Sequence, residues 1–530
     1  MNASQAQHQG GIAMKGRITL ISPNTPGSYR SAKINDENLA LGYLAAVLDM
    51  HGYEVEIVDA RMSQLSPELA AEQIQRFQPF FLGISTISEE SVPWIEALWA
   101  LLGSPSYLKH VCMGGYYPSL QPETVLHRLP FVDSVARGEG EITVVELTEK
   151  VRLGECWDNV MGIARRLADG SVAMNPRQAV IANLDSLPFP KRYANSNGTE
   201  IVIEGARGCF GRCSFCAVGP HFEAGCKLAW RGRSPEHIIA EIIELRQLFP
   251  GNFRYRFIDP DFFGSASRVH SDRIERIATL VREKVPGIEL YVEARVTDIC
   301  RKDILESLKQ AGLKEVYLGI ESGSNKILAL MGKCASAADA IRATSLLEAV
   351  GINYQYGHMM VTPWTEYQDV LDSLALLRVI GRVQFDKLFN ELYLIPGTKL
   401  VDQVGSEHQL VREEGTGYYF YEANQLVRNI RAIGVAFETV YKSFSESLWY
   451  LYKDVQRHEQ CNVKGATAIQ RELSGWFIAA FEFCLERSKD KPLSTSQVHG
   501  IVEEAIARFQ AVFETIREKL DQDITFPRMI

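Results

Sequence analysis

Three cysteines fall within eight residues of one another, Cys209, Cys213 and Cys216. They are spaced Cys-x3-Cys-x2-Cys in the run Gly205-Ala206-Arg207-Gly208-Cys209-Phe210-Gly211-Arg212-Cys213-Ser214-Phe215-Cys216. Three thiolates on one short loop can each bind an iron of a 4Fe–4S cube, which leaves the fourth iron open to an exogenous ligand. Zinc is the competing occupant. A structural zinc site needs a fourth Cys or His, and a catalytic one needs three ligands and water; His221 and Cys226 follow closely enough to be considered. Gly205, Gly208 and Gly211 suit a loop that folds around a cluster, because such a loop needs positive φ and close backbone approach. Cys112, Cys156, Cys226, Cys300, Cys334, Cys461 and Cys484 have no ligand spacing and read as packing residues.

The elements that must position this loop show in the periodicity. From 17 to 153, β-branched runs (Arg17–Ser22, Glu54–Val58, Phe80–Ser85, His110–Met113) alternate with helical spacing such as Leu39, Tyr43, Leu44, Val47 and Leu48. That alternation predicts a doubly wound parallel sheet, which binds ligands at its C-terminal strand ends. Asp169-Gly170 predicts a hairpin, and Pro188 and Pro190 mark a linker. A second alternation starts at Glu200, with strands expected at 200–204, 253–258, 290–294, 315–320, 353–360 and 388–394. It implies a partial or full parallel α/β barrel with its chemistry at the C-terminal strand ends. Beyond Leu400, Tyr419–Val455, Ala466–Arg487 and Thr495–Leu520 have helical spacing and read as an all-α domain. The expected fold is therefore α/β with a helical C-terminal domain. Its parts are a flexible N-terminus (1–16), a first domain (17–153), a hairpin and linker (154–199), a barrel (200–400) and a helical domain (401–530).

The cysteine motif, with aromatic Phe215 before its third cysteine, resembles the radical S-adenosylmethionine superfamily. Tyr291-Val292-Glu293-Ala294-Arg295, Leu318–Ser324 and His358–Thr365 look like later barrel strands of the branch that carries an N-terminal cobalamin-binding domain. About 400 residues fall under the resemblance. It implies that the open iron chelates S-adenosylmethionine, that cleavage yields methionine and a 5′-deoxyadenosyl radical, and that Phe215 lies against the adenine. It further implies that Glu293 and Arg295 hold the ribose hydroxyls and the methionyl carboxylate, and that Glu321 and Ser322 address the ammonium or the ribose. Asp259-Pro260-Asp261 ends the second strand, where many members have Gly-Gly-Glu for the methionyl amine; Asp259 takes that place here.

Residues 17–153 resemble the cobalamin-binding fold. The resemblance implies that Ser85-Thr86, Gly114-Gly115 and Glu139 approach the corrin or its dimethylbenzimidazole tail. The Asp-x-His-x-x-Gly loop that would give cobalt a histidine is absent after the first strand, which continues Pro23-Asn24-Thr25-Pro26-Gly27-Ser28. Asp49-Met50-His51-Gly52 has the wrong spacing, so cobalamin is expected without a histidine axial ligand, with Arg61 as a candidate to cover its lower face.

Composition agrees with a soluble globular chain: 46% hydrophobic and 23% charged residues, with a net charge of −9. An acidic balance is a poor basis for nucleic-acid or anionic-membrane binding. No apolar run reaches a bilayer span, and the first residues lack the features of a secretory signal. Ten cysteines in 530 residues are too few for a disulfide scaffold. An oxygen-sensitive cluster is expected in the reducing cytoplasm, served by an electron donor such as flavodoxin or ferredoxin. The expected function is cobalamin-dependent methyl transfer to a small metabolite or natural-product intermediate. The alternative is the same radical barrel without cobalamin, catalysing dehydration, rearrangement, cyclisation or bond formation. A non-catalytic iron–sulfur or cobalamin-binding regulator is the third reading, from a different class.

Overall fold

Runs of β-branched and aliphatic residues bury both faces of the first sheet, as parallel strands covered by crossover helices require. In chain order the elements are β1 (Arg17–Ser22), α1 (Leu39–Met50), β2 (Glu54–Asp59), α2 (Pro67–Phe77), β3 (Phe81–Ser85), α3 (Val92–Leu102), β4 (His110–Gly114), α4 (Tyr116–Leu120), α5 (Pro122–Arg128), β5 (Ser134–Ala136), α6 (Glu141–Leu153), β6 (Ile163–Arg166) and β7 (Val172–Met174). Caps mark the helix ends: Ser66 Oγ accepts from the Leu69 N–H and Pro67 opens α2, while Gln78 closes it in the left-handed region at φ 54°. The strand order is β2-β1-β3-β4-β5-β6-β7. The connections reverse direction around β1, so a crevice opens beyond the ends of β1 and β3. The hairpin β6–β7 is not confined to the connecting segment. It pairs antiparallel with β5 and extends the sheet, because Ile163 and Ala164 are fully buried there.

The computed structural model describes residues 14–25, 37–193, 200–222, 230–251, 253–265, 267–413, 416–440, parts of 442–455, 466–488 and 491–522. Residues 1–13, Pro26-Gly27-Ser28, the linker positions 194–199, Cys226 and Cys461 lie outside the described residues.

The second sheet is built from β8 (Ile201–Ile203), β11 (Arg254–Phe257), β12 (Glu289–Arg295), β13 (Leu313–Glu321) and β14 (Asn353–His358), all parallel in the order β14-β13-β12-β11-β8. Between β8 and β11 come β9 (Ala206–Gly208), α7 (Val218–Phe222), β10 (Trp230–Gly232) and α8 (Pro235–Leu248), with β9 and β10 paired as an antiparallel ladder. Helices α9 (Arg268–Lys284), α10 (Lys302–Gln310), α11 (Asn325–Leu330), α12 (Ala337–Val350) and α13 (Tyr367–Ile380) complete the strand–helix alternation. Period-two alternation sorts the faces. Leu290, Val292 and Ala294 pack outward on the helices, whereas Tyr291, Glu293 and Arg295 face the lumen. Tyr354, Tyr356 and His358 also face outward, so they fill the helix layer and do not line a cavity; the Tyr354 hydroxyl donates to Glu348 at 3.0 Å. The strand expected at 388–394 does not form. A 3-10 turn (Asp386–Leu388) leads into a single parallel bridge between Val361 and Glu391. Both the Met360 and Val361 N–H groups donate to the Asn390 carbonyl, a bulge and not a ladder, so the barrel is partial.

The C-terminal region is helical apart from one hairpin. It contains α14 (Lys399–Glu407), β15 (Leu410–Arg412), β16 (Tyr419–Tyr421), α15 (Gln425–Thr439) and the helices Ala466–Ser488 and Thr495–Gln522. Tyr419–Tyr421, expected to begin a helix, is a strand. Gly417 turns the chain at φ +75° and leaves no room for a side chain against Glu89, which also receives Arg412 and, at 2.9 Å, Arg128. The hairpin is thereby held on the first domain. Phe385 meets Phe437 and Phe477 edge to face, and Phe389 meets Phe481 likewise, so the helical region and the barrel share one core. No helix among the described residues is long and apolar enough to cross a membrane.

Candidate functional site

The cluster loop leaves β9 through Gly208, whose φ of +83° belongs to glycine. Cys209, Cys213 and Cys216 are free, half-buried thiols. A side chain at Gly211 would sit 3.2 Å from Cys209 Sγ and 3.8 Å from Cys213 Sγ, so glycine keeps the hollow between the thiols clear. The Gly211 N–H donates to Cys209 Sγ at 3.2 Å. Ser214 fixes the rest of the loop, its N–H bound to the Met331 carbonyl at 2.8 Å and its carbonyl to the Leu400 N–H at 2.9 Å. Burial raises all three thiols, Cys209 to about 12 with the Asp261 carboxylate adding to the effect. Such buried thiols ionise when a metal supplies the compensating charge. Among the described residues no three His, Cys, Asp or Glu side chains converge as a single ion requires. His221 lines a different cavity, with its ring 4.4 Å from that of Tyr116. The donor set fits a cube, whose irons are separate, better than one zinc ion.

The barrel mouth supplies the next layer. Arg295 is committed to carboxylates: it pairs with Asp298 at 2.6 Å and Asp261 at 3.2 Å, and its Cδ lies beside the cluster loop at Gly211. It thus braces the loop and presents no free fork to a ligand. Glu321, at φ +72°, is paired with the buried Lys333 at 3.1 Å. Lys333 escaped notice in the sequence, where it is one lysine after Gly332, yet its ammonium opposes the burial effect on Cys213 and Cys216. Glu293 faces the lumen; burial raises its pKa, and Arg256 is the charge that opposes this. Ser322 turns away from the lumen, its Oγ 3.4 Å from that of Ser373 on α13. Phe215 is partly buried against the barrel core.

Asp259 is wholly buried and accepts the Gly205 N–H at 2.7 Å, so it pins the β8–β9 connection. Burial raises its pKa to about 8. The folded protein therefore keeps this proton from the unfolded value of about 4 up to about 8, and stability falls over that interval as pH rises. In Asp259→Asn that decline is absent. Its melting temperature should gain on wild type between about pH 5 and about pH 8 and level off above. A pH-independent difference between the two would contradict the buried neutral acid.

A cleft of about 410 Å³ runs from the C-terminal ends of the first sheet to the barrel mouth. Arg61, Ser85, Gly114, Gly115 and Glu139 line it, while Thr86 lies behind, its hydroxyl 2.6 Å from that of Ser91. Gly115, at φ +98°, lets α4 start hard against the Thr86 backbone. The deep end is an apolar slot between sheet and helices, walled by Leu20, Leu41, Leu44, Phe81, Val144 and Leu147, with Gly83 and Cys112 in its floor. The wide end meets Tyr116, Glu204, Arg256 and Pro260. A flat aromatic group suits the slot and a broad amphipathic ring suits the mouth, so the cleft fits cobalamin. His51, the histidine near α1, caps that helix with Nδ1 2.7 Å from the Val47 carbonyl and is exposed.

A buried ion network joins the two halves beneath the cleft. Arg207, on β9 just ahead of the cysteines, pairs with Glu141 at 2.7 Å, Glu204 at 2.8 Å and Glu139 at 3.3 Å, and its guanidinium lies 5.2 Å from the Tyr43 ring. Glu139 also takes Arg231 at 2.8 Å and the Ile181 N–H at 2.7 Å. Its oxygens are therefore engaged in the domain junction. The sequence signal was present in Arg-Gly-Glu-Gly-Glu at 137–141, but its partners are about 65 and 90 residues downstream.

Residues 203–377 match the radical SAM superfamily and residues 32–148 the B12 binding domain. An uncharacterised methyltransferase of Pyrococcus horikoshii is 24% identical over 461 residues, 85% of this chain and 97% of its own. The anaerobic magnesium-protoporphyrin IX monomethyl ester cyclase of Rubrivivax gelatinosus is 28% identical over 63% of this chain; the alignment spans 61% of the cyclase. Among solved structures, the cobalamin-dependent S-adenosylmethionine radical enzyme OxsB superposes with a TM-score of 0.76 at 17% identity, over 97% of this chain and 82% of its own. The shared fold includes the helical C-terminal region.

Proposed function

We propose, from the premise that this chain belongs to the radical S-adenosylmethionine superfamily and carries a B12-binding domain, that it is a cobalamin-dependent methyltransferase. Its substrate is an unactivated centre of a small metabolite or natural-product intermediate. The observation that carries this reading is the continuity of the chamber: one cleft is lined by Ser85, Gly114 and Gly115 of the first domain and by Glu204, Arg256 and Pro260 of the barrel mouth. When bound, the cluster supplies the electron that cleaves S-adenosylmethionine to methionine and a 5′-deoxyadenosyl radical, and the corrinoid carries the methyl group.

The chain's own residues then bind and orient. Cys209, Cys213 and Cys216 hold three irons; Glu293 and the Lys333-braced Glu321 offer carboxylates to the ammonium and ribose hydroxyls of S-adenosylmethionine, and Phe215 lies toward its adenine. Asp259, Ser322 and Arg295 hold the strand ends in place. Ser85, Gly114, Gly115 and Arg61 surround the corrinoid, with Thr86 supporting them. The exposed cations Arg212 and Lys399 flank the thiol hollow and suit an acidic electron donor such as flavodoxin or ferredoxin. An oxygen-sensitive cluster suits the reducing cytoplasm.

Similarity to the Pyrococcus methyltransferase along nearly all of its length supports methyl transfer, whereas the similarity to the cyclase supports the alternative, bond formation without it. The two separate on the fate of S-adenosylmethionine. Reduced, reconstituted protein should form S-adenosylhomocysteine only when cobalamin is supplied. Formation of 5′-deoxyadenosine alone, with or without cobalamin, would favour the alternative.

A further inference from the structure

Helix α7 places one polar side chain in the cleft wall that no role above uses. His221 is 9% exposed, packs at a tilt against the Tyr116 ring with centroids 4.4 Å apart, and meets the Phe222 ring edge-on at 4.9 Å. Its Nδ1 is enclosed with no hydrogen-bond partner among the described residues. Buried polar atoms are rarely left this way unless a ligand or an ordered water completes them. The backbone that carries the ring is held in place. The His221 carbonyl accepts from Arg177 at 3.2 Å, and a Cβ at Gly138 would lie 3.2 Å from the same carbonyl oxygen. Burial, with Arg177 and Arg207, outweighs the pull of Glu139 and holds the imidazole neutral, with a pKa of about 4. A neutral imidazole offers one N–H donor and one acceptor. Phosphate would favour the charged ring, whereas a carboxamide brings both a carbonyl and an NH2 and satisfies either tautomer. The ring belongs to the barrel side of the cleft, five residues beyond Cys216, and shares the cavity with Gly114 and Gly115.

We propose that His221 hydrogen-bonds a peripheral carboxamide of the corrin ring and so ties the cofactor to the helix that leaves the cluster loop. The inference rests on the cobalamin reading above. It makes His221 a binding residue and not an axial ligand to cobalt. The test compares full-length wild type, His221→Phe and His221→Gln, each reconstituted with iron and sulfide and titrated with hydroxocobalamin. Iron content and melting temperature report on folding.

His221→Phe should raise the Kd for hydroxocobalamin about tenfold, equivalent to about 1.4 kcal/mol. His221→Gln, which keeps a donor and an acceptor, should recover most of that loss. The electron paramagnetic resonance spectrum of bound cob(II)alamin should be the same in all three proteins. Unchanged affinity in His221→Phe at normal iron content would overturn the proposal. So would a nitrogen splitting in wild type that both variants lose, because the imidazole would then be bound to cobalt. A low-iron, low-melting Phe variant leaves the decision to Gln: near-wild-type affinity there upholds the hydrogen bond, and affinity as poor as that of Phe removes it. If wild type itself takes up no hydroxocobalamin, the cofactor reading fails, and this inference with it.

Discussion

Replacing Cys213 by alanine should remove the iron–sulfur chromophore: iron falls from about four per reconstituted chain to background, and S-adenosylmethionine cleavage is lost. The reason is local. Two remaining thiolates leave one iron of the three without a protein ligand, and no substitute donor stands beside Cys213 among the described residues. The Asp261 carboxylate approaches the cluster loop, but it lies 4.0 Å from Cys209 and not beside Cys213. Hydroxocobalamin uptake should survive, since none of the three cysteines lines the cleft. An intact cluster in this variant would mean that the three cysteines are not its ligands.

Arg207→Ala should be the most damaging single change to stability outside the cysteines. Arg207 is 5% exposed and its guanidinium stands between Glu139, Glu141 and Glu204; burial, with the neighbouring Glu141 carboxylate, raises the pKa of Glu204. Glu139 keeps Arg231, but Glu141 and Glu204 lose their ion pair with Arg207. Removing one partner from such a buried group typically costs about 3–5 kcal/mol. The damage falls at the junction between the two halves, so the variant should melt earlier and be cleaved faster between the domains by limited proteolysis. Arg207→Lys should rescue little, because a single ammonium cannot reach three carboxylates in the geometry of a planar fork. A melting temperature equal to wild type would show that the network does not hold the domains together.

The sequence disclosed the parts of this molecule whose signals are local. Cys-x3-Cys-x2-Cys is a spacing within one loop, and the alternation of β12, with Glu293 and Arg295 on one face, is a property of seven consecutive residues. What stayed hidden depends on partners far along the chain. Arg295 looked available for a carboxylate until Asp261 and Asp298 were found around it. Glu139 lines the cleft, but its ion-pair partners on β9 and β10 lie too far along the chain to be read locally. Tyr354, Tyr356 and His358 share a face by spacing, yet spacing does not say which face is the lumen; helix packing decides that. The sixth strand and the first turn of the helical region failed for a related reason. Near Asn390 a shared carbonyl replaces a ladder, and at Tyr419–Tyr421 contact with the first domain selects a strand over a helix. The apolar slot was equally illegible, because Leu20, Leu44, Gly83 and Leu147 come from four separate elements and each alone reads as core.

A corrinoid seated in the cleft beside a three-cysteine cluster would be retained through anaerobic reconstitution with iron and sulfide, addition of hydroxocobalamin, and desalting. Retained corrin absorbance at about one cobalt per chain, together with the iron–sulfur bands, is the result predicted here. An iron–sulfur spectrum alone, with all cobalamin lost to the column, would contradict it.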